Sequence, residues 1–242
     1  MKRSALDALE ANSLAAKPVA LRPRDAASLI ILDRSPSGVR VLLGKRRADL
    51  KFMPGQFVFP GGRTDAADRF TGVAGQLPAD DLRKLIAGQG SGASANRSHA
   101  IGVTALRECY EETGLMVGRP AQAGIATAIY GGHGVAPDLS TLRYLARAIT
   151  PPGRVRRFDT RFFAVWRDSI GGERPGGAPD QEFSELRWAS FAETANLDCP
   201  AITRTILSVI EARLIVDPLL TDVVAVPEYR MRHGRFVCEM RD

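Results

Sequence analysis

The chain has 242 residues, enough for one large domain or two small ones with a substantial core. Its hydrophobic content of 45% and charged content of 25% are typical of a globular protein. The net charge of +6 is compatible with an acidic partner: phosphates, nucleotides, nucleic acid or a membrane surface.

Scattered cysteines and histidines exclude several kinds of site. Neither a disulfide framework nor a CxxC metal knuckle fits the three cysteines, Cys109, Cys199 and Cys238. The three histidines are equally dispersed and indicate neither a zinc site nor a histidine-based triad. No run approaches the ~18 apolar residues of a membrane span, and no secretory signal opens the chain. We therefore expect a cytoplasmic protein.

The first part of the chain predicts an arm followed by a β-hairpin. Residues 1–24 are Ala-rich and mixed in charge, and we expect a loosely attached N-terminal arm. A buried-strand run at 27–32 and a returning strand at 39–43 flank turn chemistry at 35–38. Another short strand is predicted at 56–59, directly before Pro-Gly-Gly.

The composition changes at residue 63. Residues 63–99 are predicted to form an insertion loop that carries one short helix at 78–87. An amphipathic helix follows at 98–113, with Asn96 or Ser98 as its N-cap and Gly114 directly after its last residue.

The second half predicts strands at 125–130, 142–149, 161–166 and 183–188. A helix at 139–148 is an alternative to the second of these. Residues 200–215 predict an amphipathic helix preceded by a proline, and 217–242 are expected to form a C-terminal appendage.

Three carboxylates share one face of the 98–113 helix. Glu108, Glu111 and Glu112 stand at i, i+3 and i+4, within one turn. Because like charges at this spacing repel, a cation above the face would explain them, and oxygen ligands suit Mg²⁺ or Mn²⁺. A solvated acidic stripe is the alternative. The opposite side carries residues to bury: Gly102, Val103, Leu106, Cys109, Tyr110 and Thr113.

The sequence around these carboxylates resembles the Nudix box of Nudix hydrolases. Residues 107–115, after the glycine pair Gly61 and Gly62, match the second half of the box when a cysteine counts as apolar. The acid expected in the first half falls at Asp68, and residues 69–106 replace the usual short spacer. Whether Asp68 or Asp65 takes the place of that acid is open.

A second resemblance concerns the substrate. Residues 42–62 are similar to the signature that precedes the box in Nudix enzymes acting on coenzyme A and its acyl derivatives, and 157–163 look like a phrase of the same branch. The resemblance implies an α/β fold, a Nudix-type α/β/α sandwich with a central mixed β-sheet, which we expect over 25–216. It also implies divalent-metal-dependent hydrolysis of a nucleoside-linked diphosphate, with coenzyme A or acyl-CoA as the leading substrate.

The resemblance further implies roles for individual residues. The catalytic set would be Glu108, Glu111 and Arg107, the last holding a glutamate in place. Mg²⁺ or Mn²⁺ would be bound by Glu108, Glu111, Glu112 and the Gly61 carbonyl. Substrate would be bound by Arg46, Gly62 and Arg157, although Arg157 could instead pair with Asp159.

The catalytic base would be one of the helix glutamates or one of Asp180, Glu182 and Glu185. Base stacking or core packing is open for Phe52, Phe57 and Tyr130.

The predicted fold is also compatible with other functions. The substrate could be ADP-ribose, another nucleoside diphosphate derivative or a capped RNA end, or the chain could be a non-catalytic ligand sensor. The expected partner is a small-molecule nucleotide, and no membrane partner is expected. Nucleic acid is disfavoured because no recognition motif accompanies the positive charge. A homodimer is left open.

Overall fold

The computed structural model describes residues 21–121, 128–232 and 234–242. The strands are β1 (Arg24–Ser35), β2 (Gly38–Arg46), β3 (Phe57–Val58), β4 (Gly61–Arg63), β5 (Leu115–Pro120), β6 (Val135–Pro137), β7 (Arg143–Ile149), β8 (Phe158–Trp166), β9 (Ile170–Glu173), β10 (Phe183–Ser190), β11 (Val226–Arg232) and β12 (Arg235–Arg241). The α-helices are α1 (Ala79–Gly88), α2 (Ala95–Thr113), α3 (Phe191–Thr194) and α4 (Ala201–Val216).

A mixed sheet forms the centre of the fold. Its strand order is β10-β2-β1-β8-β7-β11-β12, with β3 paired to β2 and β4 paired to β1. The β1–β8 and β7–β11 pairs are parallel, and the other pairs in this sheet are antiparallel. A smaller sheet has the order β6-β5-β9. Helix α2 packs on one face of the main sheet and α4 on the other, which confirms the predicted α/β/α sandwich.

The apolar run of β1 reflects its position between the two helical layers. Leu29 and Ile31 belong to the core beneath α2, whereas Ile30 and Leu32 belong to the core beneath α4. A strand covered on both faces needs continuous rather than alternating hydrophobicity, and this is why 29–32 are apolar throughout. The predicted hairpin is confirmed, with β1 and β2 joined by the predicted turn.

Helix α2 begins earlier than the sequence predicts. The N-cap is Ser94, whose hydroxyl accepts a hydrogen bond from the Arg97 amide at 3.1 Å, so the predicted caps Asn96 and Ser98 are wrong. Ser98 is buried and accepts instead from the Gln89 side chain at 2.6 Å. The helix ends as predicted at Gly114, whose φ of 80° is in the left-handed region. All six apolar or small positions predicted to face the core are buried.

Residues 63–99, which the sequence predicts to be an insertion, form an ordered part of the fold. Helix α1 confirms the predicted short helix. Lys84 is only 3% exposed, and its ammonium group donates to the Val224 carbonyl at 2.6 Å. The Gly88 carbonyl accepts a hydrogen bond from Arg147 on β7 at 2.5 Å. These bonds join the insertion to the sheet and to the segment before β11.

The second half of the chain forms most of the predicted elements. Strand β7 occupies 143–149, so the alternative helix at 139–148 is wrong. Strands β8 and β10 and helix α4 match their predictions. Residues 125–127 of the predicted strand at 125–130 lie outside the described residues, and Ala128–Tyr130 form a 3₁₀ turn instead of a strand. None of the helices within the described residues has the length and apolar character that crossing a membrane requires.

The segment 217–242, predicted as an appendage, contributes β11 and β12 to the main sheet. Its anchor is Glu228, which is 2% exposed and accepts hydrogen bonds from Arg147 and Arg241, each at 3.0 Å. Arg147 also forms a bidentate pair with Asp159 on β8. The limits of the domain at residues 25 and 216 stay a prediction.

Replacing the buried Glu228 should therefore destabilise the whole fold. We expect Glu228→Gln to lower the free energy of unfolding by about 3 kcal/mol, because the buried Arg147 and the half-buried Arg241 both lose this anion. Glu211→Gln, on the exposed side of α4, should change it by no more than about 0.5 kcal/mol. Urea denaturation of both variants measures the difference, and equal stability of the two would contradict an anchoring role for Glu228.

Candidate functional site

The side chain of Arg107, on α2, connects three carboxylates. Its Nε and Nη2 atoms donate to the two oxygens of Asp68 at 2.9 and 3.0 Å. Its Nη1 atom donates to Glu108 Oε1 at 2.8 Å and to Glu111 Oε2 at 2.9 Å. Nη2 also donates to the Arg63 carbonyl at 3.0 Å, which ties the cluster to β4. Burial opposes the charge of Arg107, but the Asp68 hydrogen bond and the surrounding carboxylates raise its pKa.

Asp68, in a 3₁₀ turn of the insertion, is only 1% exposed. Besides pairing with Arg107, its Oδ2 atom accepts hydrogen bonds from the Thr104 hydroxyl and the Asp65 amide, each at 2.9 Å. The Asp65 carboxylate instead pairs with Arg63 in solvent. Of the two acids left open by the sequence, Asp68 is therefore the one that contacts the helix arginine. Thr104 was missed, although it precedes Arg107 by one helical turn on the same face.

The two glycines bring β4 against the helix carboxylates. A Cβ atom on Gly62 would lie 2.5 Å from Glu108 Cδ and Oε2, so any side chain there would collide with that carboxylate. Gly61 has a φ of 156°, and its amide donates to Glu112 Oε2 at 2.8 Å. Strand β4 pairs with β1, which fixes both glycines relative to the sheet.

Glu112 is buried, contrary to the prediction that all three glutamates point away from the packed face. It is 3% exposed, whereas 36% of the Glu111 side chain is exposed. Burial and a hydrogen bond to Glu182 raise the pKa of Glu112 well above its ordinary value, and the Gly61 amide opposes this only in part. The hydrogen bond from Glu112 lowers the pKa of Glu182, so the two carboxyl groups shift in opposite directions.

Glu182 joins the site from the loop before β10. The guanidinium of Arg46 donates to its two carboxylate oxygens at 3.0 and 3.3 Å. The amide of Asp180 donates to the Glu111 carbonyl at 2.8 Å, which brings this loop to the end of α2. Glu185 pairs instead with Arg187 on the same strand. The structure thus brings Glu182 and Asp180, but not the Glu185 carboxylate, to the cluster.

Arg157 is not part of this cluster. Its guanidinium donates to the carbonyls of Thr150 and Leu21, at 3.0 and 2.5 Å, and burial lowers its pKa. Asp159, its other predicted partner, pairs with Arg147 and Arg161 instead. The predicted pairing of Arg157 with Asp159 is therefore wrong, and its predicted contact with substrate stays a prediction.

The cluster carries more carboxylates than guanidinium groups. Burial raises the pKa of Glu108 to about 7 despite the opposing effect of Arg107. Arg107 engages one oxygen of Glu108 and one of Glu111, so each carboxylate has a second oxygen to offer. Within the described ranges, no three Asp, Glu, His or Cys side chains converge as a ready-made metal site. Two guanidinium groups, on Arg46 and Arg107, face five acids: Asp68, Glu108, Glu111, Glu112 and Glu182.

Comparison with known proteins identifies the fold. No family model matches the chain. The crystal structure of a NUDIX hydrolase from Alicyclobacillus acidocaldarius is similar to it, with a TM-score of 0.58 and 25% identity over 78% of this chain and 91% of that one. The NUDIX domain of Shewanella oneidensis NrtR, solved with ADP ribose, has a TM-score of 0.47 and 12% identity over 86% and 98% of the two chains. The Alicyclobacillus likeness confirms the predicted fold class and supports the predicted enzyme class, a Nudix pyrophosphohydrolase.

Asp68 and Asp65 differ by three residues but should differ strongly in their contribution to stability. We expect Asp68→Asn to lower the free energy of unfolding by about 3 kcal/mol, because it leaves the partly buried Arg107 without its bidentate anion. Asp65→Asn, which removes only an exposed pair, should cost less than about 0.5 kcal/mol. Urea denaturation compares the two variants, and a similar loss in both would show that Asp68 does not hold Arg107.

The raised pKa of Glu112 predicts that its carboxyl group weakens the metal-free fold near neutral pH. Above the unfolded-state pKa the unfolded chain releases a proton that the folded chain retains, so stability falls as pH rises toward the folded-state pKa. Glu112→Gln removes this dependence, and its amide can still donate to Glu182 and accept from Gly61.

We therefore expect Glu112→Gln to be more stable than the wild type at pH 7 in EDTA, with the difference shrinking toward pH 4. Denaturation curves at both pH values measure it. A difference that does not change with pH would contradict the burial of an ionisable group at this position.

Proposed function

We propose that the chain hydrolyses a diphosphate linked to a nucleoside, with coenzyme A or an acyl-CoA as the leading substrate. One observation carries this proposal. The Arg107 guanidinium gathers Asp68, Glu108 and Glu111 beside the backbone of Gly61 and Gly62. The acids of the interrupted box are thus assembled in space.

A divalent cation, Mg²⁺ or Mn²⁺, fits the chemistry of this donor set. The candidate ligands are oxygen atoms only, which hard cations prefer, and the surplus of carboxylates over guanidinium groups leaves negative charge to neutralise. We assign Glu108, Glu111 and Glu112 as the residues that would hold it, with the Gly61 carbonyl as a further ligand. When bound, such a cation supplies neutralisation of phosphate charge and a lowered pKa of coordinated water.

The residues of the chain have separate tasks in this proposal. Arg107 orients Glu108 and Glu111, and Gly62 allows the backbone to approach the Glu108 carboxylate closely. Glu182 is the favoured base among the loop acids, because Arg46 fixes the position of its carboxylate and its carboxyl group contacts Glu112 on the helix. The helix glutamates Glu108 and Glu111 remain alternative bases.

The choice of substrate rests on the sequence that precedes the box. Residues 42–62 carry the resemblance to coenzyme A enzymes, and they include Arg46 and Gly62, both of which lie against the site. ADP-ribose or another nucleoside diphosphate derivative is the second candidate and needs the same acids. A non-catalytic sensor is the third, but the complete set of glutamates speaks against it.

A substrate panel tests the proposal directly. We expect hydrolysis of coenzyme A or an acyl-CoA in Mg²⁺ or Mn²⁺, its loss in EDTA, and its return when the metal is restored. Glu111→Gln should lower kcat/KM by at least roughly 100-fold, since residues that only orient metal ligands already cost 10–100-fold. Glu185→Gln is the matched control, because this acid pairs with Arg187 and should leave activity unchanged.

Two results would change the proposal. Efficient cleavage of ADP-ribose without coenzyme A turnover would replace the substrate. Absence of hydrolysis across the panel, with nucleotide binding retained by both the wild type and Glu112→Gln, would favour the sensor.

A further inference from the structure

The ring of Phe183, the first residue of β10, lies flat on strand β2. A Cβ atom on Gly44 would be 2.3 Å from Cδ2, 2.3 Å from Cε2 and 2.5 Å from Cγ of this ring. A point beside the edge of a ring is much nearer to one atom than to that atom's two neighbours. Similar distances to three consecutive atoms therefore place Gly44 beneath the face of the ring. Glycine is needed there because any side chain would lift the ring from the strand.

The ring lies on the side of the sheet that carries the acidic site. Side chains alternate along a strand, so Gly44 shares its face with Leu42 and Arg46. Leu42 packs into the core beneath α2, and Arg46 binds Glu182. Leu186, paired with Gly44 across the ladder, is on the same face and 43% exposed. Phe183 and Leu186 thus form an apolar surface that α2 does not cover.

This surface adjoins the carboxylates. The residue before Phe183 is Glu182, whose carboxyl group bonds to Glu112, and Asp180 bonds to the carbonyl of Glu111. The loop that ends at Phe183 therefore runs along the end of α2. Of the three aromatic candidates noted in the sequence, Phe57 and Tyr130 are buried. Phe52 is 44% exposed, but its ring already lies beside the Arg46 guanidinium, whose carbon is 6.0 Å from the ring centroid.

Building on the proposed hydrolysis of a nucleoside-linked diphosphate, we propose that Phe183 is a specificity-determining residue that stacks on the nucleobase of the substrate. One face of its ring is covered by the Gly44 backbone, and the partly exposed ring can offer only the other. Planar bases stack on aromatic faces of this kind. Gly44 is the positioning residue, and the diphosphate would extend from the stacked base toward Glu182 and Glu112.

Calorimetric binding of ADP and of inorganic pyrophosphate, each with Mg²⁺, separates base recognition from phosphate recognition. We expect Phe183→Leu to weaken ADP binding by about tenfold or more, in line with measured base–aromatic stacking, and to leave pyrophosphate binding unchanged. Phe183→Tyr keeps the ring and should retain ADP affinity, and Gly44→Ala should reproduce the loss. Phe70→Leu is the matched control, because that ring is 84% exposed in the insertion.

Several outcomes overturn the assignment: no ADP binding by the wild type, unchanged ADP affinity in Phe183→Leu, equal weakening of ADP and pyrophosphate, or an equal loss in Phe183→Tyr. Hydrolysis is scored separately. If ADP binding follows the expected pattern while no substrate is cleaved, the proposed function fails and the base site stands. If substrates are cleaved with the same KM by Phe183→Leu, the base site fails and the function stands.

Discussion

The arrangement of the site depends on the planar fork of the Arg107 guanidinium. Its donors reach a carboxylate from the insertion, two from its own helix and a carbonyl of β4. A lysine ammonium would offer one point charge without this fixed geometry. The same cation offsets the repulsion between acids one turn apart, which would otherwise weaken the end of α2. Through this one side chain, Asp68 and the glutamates of α2 lie close together although they are far apart in the sequence.

A second part of the site is organised around a buried carboxyl group. Glu112 and Glu182 lie in contact, and the guanidinium of Arg46 stabilises only the second of them. Burial of a carboxyl group beside another acid is unfavourable for folding unless a proton or a cation is present. Proteins keep such arrangements where activity depends on them, and the fold must then be stabilised by contacts elsewhere.

Local patterns predicted much of the fold, and contacts distant in sequence account for the errors. The spacing of Glu108, Glu111 and Glu112 is visible because helical periodicity is local. The contact between Asp68 and Arg107 depends on how 38 intervening residues fold, and Glu182 reaches Glu112 from another loop. Ser94 was overlooked as the cap because several polar residues stand near the start of α2. Strand β11 was missed although its sequence carries a local signal: Pro227, Tyr229 and Met231 alternate with Glu228, Arg230 and Arg232.

The wide sequence separation of Asp68 and Arg107 affects how this site can vary. The contact between Asp68 and Arg107 closes the segment 69–106, and the entropic cost of closing a segment grows only logarithmically with its length. Doubling such a loop costs about 0.6 kcal/mol, less than the loss of a buried ion pair. Because α1 is bonded to the sheet and residues 95–106 belong to α2, this tolerance applies to the exposed loop at 90–93. Residues can be added there while the acids stay in place.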